Sequence, residues 1–419
     1  MSAVQRVRLL PAGCALLALV GCVAPPASKD SGDGVRVGVL LPFTGDAAAS
    51  GASIERALIM AAERINRAGG LAGRSVRLVA RDTHSDAAQG LRVGQELLDL
   101  DVSVLIGTEN ADIARELGVL VARRKVPFVS GTPAPRQAAA QGGGFWFSTI
   151  PSVAVLGQGL AERMLQQGDR RIAVLHVNDE FGRSFADEIE TAAGTLGGEV
   201  TAKVGYDPAT RSYQPLVEQV RAGNPAAIVL VGYPRASASI IQEWGGTARW
   251  YFPPTLKAEG FLANLPPGAA ERATGVAAAV GGDGGTFARQ FGERWSGEAP
   301  LQMSYFYYDA LVVWALAYET AWVQGGRAAL PTGENVRDVM RTVANGPGTR
   351  VVWYDLAEAF GKIRAGEPTE YCGASGRVDL DGDGNITSWI VEYWGVQDDR
   401  IVTEPTVQSR SWCRLQDAL

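Results

Sequence analysis

The sequence predicts an α/β protein of two doubly wound, parallel-sheet lobes joined by a three-segment hinge, and three observations predict it. From Val35 onward, short β-branched runs alternate with amphipathic helical patterns, the signature of strand-helix-strand units. The alternation breaks at Ile150-Pro151 and restarts from scratch. Beyond about Val276 it supplies more elements than the second series alone can hold.

The first series opens on Val35-Arg-Val-Gly-Val-Leu-Leu41, then a Gly-rich loop and a helix with Ile54, Leu58, Ala61 and Ile65 on one face. Gly69-Gly70 stops that helix. Val76 to Ala80, Val102 to Ile106 and Val126 to Val129 repeat the strand pattern, with helical patterns near Ala87 to Leu98 and Asp112 to Arg124 between them. An extended segment holding Phe145-Trp-Phe147 and Pro151 leads to the second series. That series reads as a helix from Val153 to Gln166, a strand from Ile172 to Val177, a helix to about Ala193, and strands near Val200 and Ile228. Two long helical patterns, Tyr305 to Trp322 and Val336 to Val343, follow a return to the first lobe near Val276. The last crossing is placed after about Asn345. Lobe one is therefore 35–148 plus 280–345, and lobe two is 149–279 plus 346–419.

The N-terminus has a different character. Two arginines precede an apolar run from Leu9 to Val20 that ends in Leu19-Val20-Gly21-Cys22, which reads as a lipoprotein signal peptide over residues 1–21. Cys22 is the expected lipid anchor, and 22–34, rich in Pro, Ala, Ser, Gly and Asp, a flexible tether. That places the mature protein in the periplasm, held to the membrane by its lipid. Cys372 and Cys413 are then the thiols left over, and an oxidising compartment makes one disulfide between them the expectation.

Composition narrows the function. The net charge of −6 is mild and no Lys/Arg cluster tracks an aromatic stripe, so no nucleic-acid partner is expected. With His84 and His176 the only histidines, a metal site or a His-based triad has little to build on. No nucleophile elbow or phosphate-binding loop occurs, no cofactor is called for, and catalysis is not expected. Asp379-Leu-Asp-Gly-Asp-Gly-Asn-Ile386 imitates the start of a calcium loop, but Ile390 stands where the bidentate acid belongs, which leaves at most weak calcium binding open.

From about Val35 to Trp394 the chain resembles the type I periplasmic binding proteins of the leucine/isoleucine/valine-binding kind. Val37-Gly-Val-Leu-Leu-Pro-Phe-Thr-Gly45 looks like the opening strand and loop, and Ala61-Ala-Glu-Arg-Ile-Asn-Arg-Ala-Gly-Gly-Leu-Ala-Gly-Arg74 like the first helix and its stop. Arg81-Asp-Thr-His-Ser-Asp-Ala-Ala-Gln89, Val104-Leu-Ile-Gly107, Val126-Pro-Phe-Val-Ser130, Asn178-Asp-Glu-Phe-Gly182, Gly232-Tyr233 and Tyr308-Asp-Ala310 follow in the family's order. The resemblance implies a small polar ligand, amino acid or amino-acid-like, bound between the lobes and passed to the membrane permease of an ABC importer. A receptor-like lipoprotein that senses without transport is the alternative.

Ligands of open parallel sheets bind beyond the carboxyl ends of the strands, where loops and helix N-termini leave free N–H groups. Lobe one offers Phe43 to Gly51, with Thr44, then Gly107 to Asp112, with Glu109 and Asn110, and Ser130 to Pro135, with Gly131 and Thr132. The resemblance implies that the middle loop holds a ligand carboxylate with serines. Glu109 there would repel an anion, and Asn110 and Thr132 are the remaining polar candidates. In lobe two, Phe181 and Tyr233 match aromatics that cover the ligand in relatives, and Lys257 falls near the place where relatives carry an acid for the ligand ammonium.

Overall fold

The computed structural model describes residues 34–133, 140–245, 248–281 and 284–404. The signal peptide, the tether, Cys22 and Cys413 lie outside them.

Strands β1 (Val35–Leu41), β2 (Val76–Asp82), β3 (Val104–Gly107), β4 (Phe128–Ser130) and β5 (Trp146–Ser148) form one sheet in the order β2-β1-β3-β4-β5. Every pair in it is parallel. From Val37 onward β1 reads as a buried run without charge because helices cover both faces, which is the usual composition of a parallel strand. On one face, the helices Ala48–Arg67, Gln302–Gln324 and Gly333–Asn345 bury Ile54, Leu58, Leu311, Trp314 and Met340 in a common core. On the other face, Ala87–Asp99 and Ala111–Arg124 bury Val93, Leu97, Ile113 and Leu117.

The helix Gln302–Gln324 is buried on all sides from Ser304 to Glu319, so its sequence carries no polar stripe. Glu319 has no solvent exposure and is held by Arg364 Nε at 2.6 Å and by the Ala72 amide at 2.7 Å. The same guanidinium donates to the carbonyls of Ala68 and Gly70. Asn66 closes the turn by exchanging hydrogen bonds with both backbone groups of Val76. The Ile-Asn and Gly-Gly pairs of the first helix thus secure a helix stop far from the cleft.

The second sheet runs β14-β13-β10-β9-β8-β6-β7, built from β6 (Arg171–Val177), β7 (Glu199–Tyr206), β8 (Ala227–Val231), β9 (Trp250–Phe252), β10 (Thr274–Ala278), β13 (Val391–Gln397) and β14 (Arg400–Thr403). Its first five strands in chain order pair in parallel, while β13 and β14 add antiparallel at one edge. The helices Val153–Gln166 and Glu180–Thr195 cover one face, and Gln214–Ala222 and Pro234–Trp244 flank the other.

Three segments cross between the lobes. The first follows β5 at Thr149 and Ile150, the second follows β10, and Ile150, Ala278 and Phe306 form a small apolar cluster where they meet. The third is Ile386 to Ile390, whose carbonyl end accepts from the Ala279 amide at 2.8 Å.

One element and one boundary are corrected. Trp146 and Phe147, inside the 35–148 segment, form the fifth strand of the first sheet and not an extended linker, because Trp146 packs edge-on against Phe128 inside the lobe-one core. The segment after Asn345 also stays with lobe one. The helix Leu356–Arg364 and the two parallel strands β11 (Thr349–Val352) and β12 (Thr369–Cys372) bury Val351, Trp353, Phe360, Tyr371 and Leu380 in the core of the first sheet. Only β13 and β14 of the later chain belong to lobe two. What holds the segment is Asp309, which is fully buried and accepts from Tyr371 Oη, the Ala374 amide, and the amide and hydroxyl of Ser375 at 2.6–2.8 Å.

Asp379 to Ile386 is a hairpin turn, closed by the Leu380 and Ile386 bridge. Asp381 spends its carboxylate on the amides of Asp383 and Asn385, and Asp379 spends its own on Arg377 and Ser388.

Candidate functional site

The C-terminal ends of β3 in lobe one and of β6 in lobe two lead into helices that meet between the lobes. The helix Ala111–Arg124 starts directly after β3, capped by Asn110, whose side-chain oxygen accepts from the Ile113 amide at 3.0 Å. Opposite, the helix Glu180–Thr195 starts after β6, capped by Asp179, which accepts from the Gly182 amide at 2.7 Å. The two helix starts touch. Ala111 joins the apolar cluster of Phe181, the Glu180 amide lies 3.5 Å from Asp112 Oδ2, and Arg115 Nε lies 3.7 Å from Glu180 Oε2.

On the lobe-one wall, Glu109 is half-buried and accepts a 2.5 Å hydrogen bond from Ser50 Oγ. Burial pushes its carboxyl up to about 7, against the opposing pull of that hydrogen bond. Thr132 Oγ1 lies 2.9 Å from the hydroxyl of Tyr307, a fully buried ring. Burial and the neighbouring Glu109 charge raise the Tyr307 phenol well above its ordinary value. Gly131 is required beside that ring, since a Cβ there would sit 2.7 Å from Tyr307 Cδ2. Thr132 and Gly131 are therefore fixed against Tyr307, with Glu109 close enough for its charge to act on that phenol.

On the lobe-two wall, the rings of Phe181 and Tyr233 lie 6.0 Å apart at 33°, and Phe185 backs Phe181 at 5.7 Å. Phe181 is 8% exposed, and Tyr233 keeps 38% of its surface open. Even so, its phenol is raised well above the ordinary value, first by desolvation and then by the adjoining Asp179 carboxylate. A side chain enclosed by protein yet open on one face is what a cleft residue looks like. Asp179 is itself pushed up, chiefly by burial and also by the charge of Asp112 across the cleft, with the Gly182 amide and the Tyr233 hydroxyl opposing. The loop that aims Tyr233 depends on Gly232, because a Cβ there would lie 1.8 Å from Tyr206 Oη. Thr255 ties down the Gly232 carbonyl at 2.6 Å.

The sequence-derived candidates fall into three groups. Glu109, Asn110, Gly131 and Thr132 meet in lobe one, and Phe181 and Tyr233 meet in lobe two. Thr44 and Lys257 are engaged elsewhere. Thr44 Oγ1 bonds Asp82 and His84 at 2.7 Å each, in a loop that Asp82 organises by also accepting from the amides of Phe43 and His84. Lys257 forms an ion pair with Glu392 on β13, next to Gln302. Asp179, Asp112, Ser50 and Tyr307 were not singled out from the sequence. Asp179 had a legible signal as the acid preceding a helical pattern, whereas nothing local marks Ser50 or Tyr307. Cys372 is disulfide-bonded.

Residues 34–358 match the family model described as periplasmic binding protein. The chain belongs to that family. Among its relatives is a chemotactic signal transduction system substrate-binding protein, BasB, of Halobacterium salinarum, 29% identical over 84% of each chain. Leu/Ile/Val-binding protein homolog 3 of Brucella melitensis is 25% identical over 48% of this chain and 54% of its own length. In fold the chain is similar to the leucine-binding protein LivK of Thermotoga maritima, with a TM-score of 0.73 at 19% identity, covering 89% of this chain and 99% of that one. A benzoate-bound solute-binding protein of R. palustris superposes with a TM-score of 0.69 at 16% identity, covering 91% and 100%. This periplasmic binding protein therefore has the type I fold and the general solute-binding function of its family. Among the described residues, no helix is long and apolar enough to cross a membrane.

Proposed function

We propose that this periplasmic binding protein is a lipid-anchored extracytoplasmic receptor that closes on a small polar solute of amino-acid or amino-acid-like size and delivers it to an ABC importer. One observation carries the reading. The polar wall of Glu109, Asn110 and Thr132 belongs to lobe one and the aromatic wall of Phe181 and Tyr233 to lobe two, so a solute between them touches both lobes at once. Only such a ligand has more affinity for the closed form than the open one, and so shifts the population.

The lipobox at Cys22 supports attachment through lipid, and a bond from Cys372 to Cys413 fits an oxidising compartment. Sensing without transport is the second reading, favoured by the chemotactic role in the name of the Halobacterium relative. A thermal-shift screen of amino acids, amides, amines and carboxylates tests the binding step, since ligand at 100 times its Kd stabilises by about 2.7 kcal/mol. No shift from any class would defeat the proposal. Loss of labelled-solute uptake on gene deletion supports delivery, and unchanged uptake with a lost behavioural or transcriptional response supports sensing.

A further inference from the structure

We infer that the cleft selects a small organic amine lacking a free carboxylate, held by Glu109 and Asp179 and covered by Phe181 and Tyr233; this rests on the solute-binding reading above. A carboxylate needs donors, and several of the donors at the two helix starts are already taken by the protein's own side chains. The Ile113 amide is bonded to Asn110, the Asn110 amide to Thr108 Oγ1, and the Thr132 amide to Ser130 Oγ. Across the cleft, the Gly182 amide is bonded to Asp179 and the Glu180 amide faces Asp112. An incoming anion finds Glu109 in place of a hydroxyl.

The nearby cations are occupied as well. Lys257 is paired with Glu392, Arg115 with Glu116 at 2.7 Å and Glu180 at 3.7 Å, and Arg183 lies 3.8 Å from Glu180. Three acids at the two helix starts remain without a salt-bridge partner among the described residues: Glu109 with one hydrogen bond from Ser50, Asp179 with Gly182 and Tyr233, and Asp112 facing the Glu180 amide. A protonated amine between them would supply the missing positive charge and offset the repulsion between Asp112 and Asp179 as the lobes approach. The two tilted rings offer π-faces suited to a cation or its apolar tail.

Three probes that share a branched tail separate the possibilities: 3-methylbutylamine, leucine and 4-methylpentanoate, titrated calorimetrically into the full-length mature protein. The amine is expected to bind best, with Glu109→Gln lowering its affinity at least tenfold while keeping a hydrogen-bond acceptor for Ser50. Asp179→Asn, which retains a cap for Gly182, is expected to weaken it too and serves if the first variant does not fold. Tighter binding of leucine or of the acid overturns the inference, as does unchanged amine affinity in both variants. If none of the three binds but another class in the broader screen does, this inference falls and the solute-binding reading stands. If nothing binds at all, both fall.

Discussion

The two walls of the cleft differ in how they are made. Lobe one presents polar groups fixed by bonds to their own scaffold, with Asn110 locked as a helix cap, Thr132 on Tyr307, and Glu109 on Ser50. Lobe two presents aromatic faces whose placement depends on packing, with Phe181 against Phe185 and Tyr233 on a loop tied down through Gly232 and Thr255. The difference teaches a division of labour. Under the proposed solute-binding role, a preorganised polar wall would read the ligand at little entropic cost, while the apolar wall would gain its ligand contacts only when the lobes meet. Lobe one should therefore be broken through buried polar groups, and lobe two through shape.

The largest effect is expected at Asp309, fully buried in lobe one. Replacing it by Ala leaves Tyr371, Ser375 and the Ala374 amide without an acceptor, and a buried network broken on one side costs about 3–5 kcal/mol. Urea denaturation should show that loss, with lobe-one signals such as Trp314 and Trp353 shifting first. A loss below about 1 kcal/mol would mean that the loop repacks, and that the network does not hold the segment after Asn345 in lobe one.

Next is the aromatic wall. Phe181→Ala removes a ring 8% exposed that contacts both Phe185 and Tyr233, so binding should weaken by about 1–3 kcal/mol while the fold survives. The loss should fall mainly on the dissociation rate, and small-angle scattering should show little compaction with ligand. Full compaction with unchanged affinity would return Phe181 to a packing role.

A smaller effect links the lobe-one wall to pH. Glu109 has an ordinary value of 4.5 when unfolded and one of about 7 when folded, so between those values the folded chain holds a proton that the unfolded chain has released. Stability must then fall as pH rises through that window, by about 2 kcal/mol once the partial solvent access of the group is allowed for. Asp309, raised to about 6, adds a slope of the same sign beginning near 3.8. Glu109→Gln should remove its own part of the slope and leave that of Asp309. Parallel stability curves for the two proteins between pH 4.5 and 7 would show that Glu109 is not desolvated.

The fold was legible where the signal was periodic or in an ordered set of motifs. The strands β1, β3 and β6 are apolar runs of the right length, and the helix after β1 shows its buried face as Ile54, Leu58, Ala61 and Ile65. What escaped depended on contacts distant in sequence. Trp146 and Phe147 look like an interlobe spacer until β4 pairs with them, and the residues after Asn345 look like a crossing until Asp309 captures Ala374 and Ser375 from 65 and 66 residues away. The site behaved the same way. Phe181 and Tyr233 lie in recognisable motifs, but the partners that define Glu109 and Thr132 are Ser50 and Tyr307, 59 and 175 residues distant. Lys257 looked available because Glu392 lies 135 residues further along.

The smallest effect separates two roles that the sequence merged in Asn110. As a residue of the middle loop it was a candidate to touch the ligand, and in the structure its side-chain oxygen is already committed to the Ile113 amide. What remains for a ligand is the amide nitrogen, which is a donor. Asn110→Ser keeps a capping oxygen and removes that donor, while Asn110→Ala removes both. If Asn110 serves only as a cap, Ser should be near neutral in stability and binding, and Ala should cost about 1 kcal/mol in stability with a comparable loss of affinity through a frayed helix start. If the amide nitrogen also contacts the solute, Ser should lose about 1 kcal/mol in binding with stability unchanged. An amine ligand has little use for a further donor on this wall, so the first outcome is the expected one. Calorimetry and urea denaturation of the two variants decide it, and a binding loss in Ser with stability unchanged would restore an acceptor-bearing ligand to lobe one.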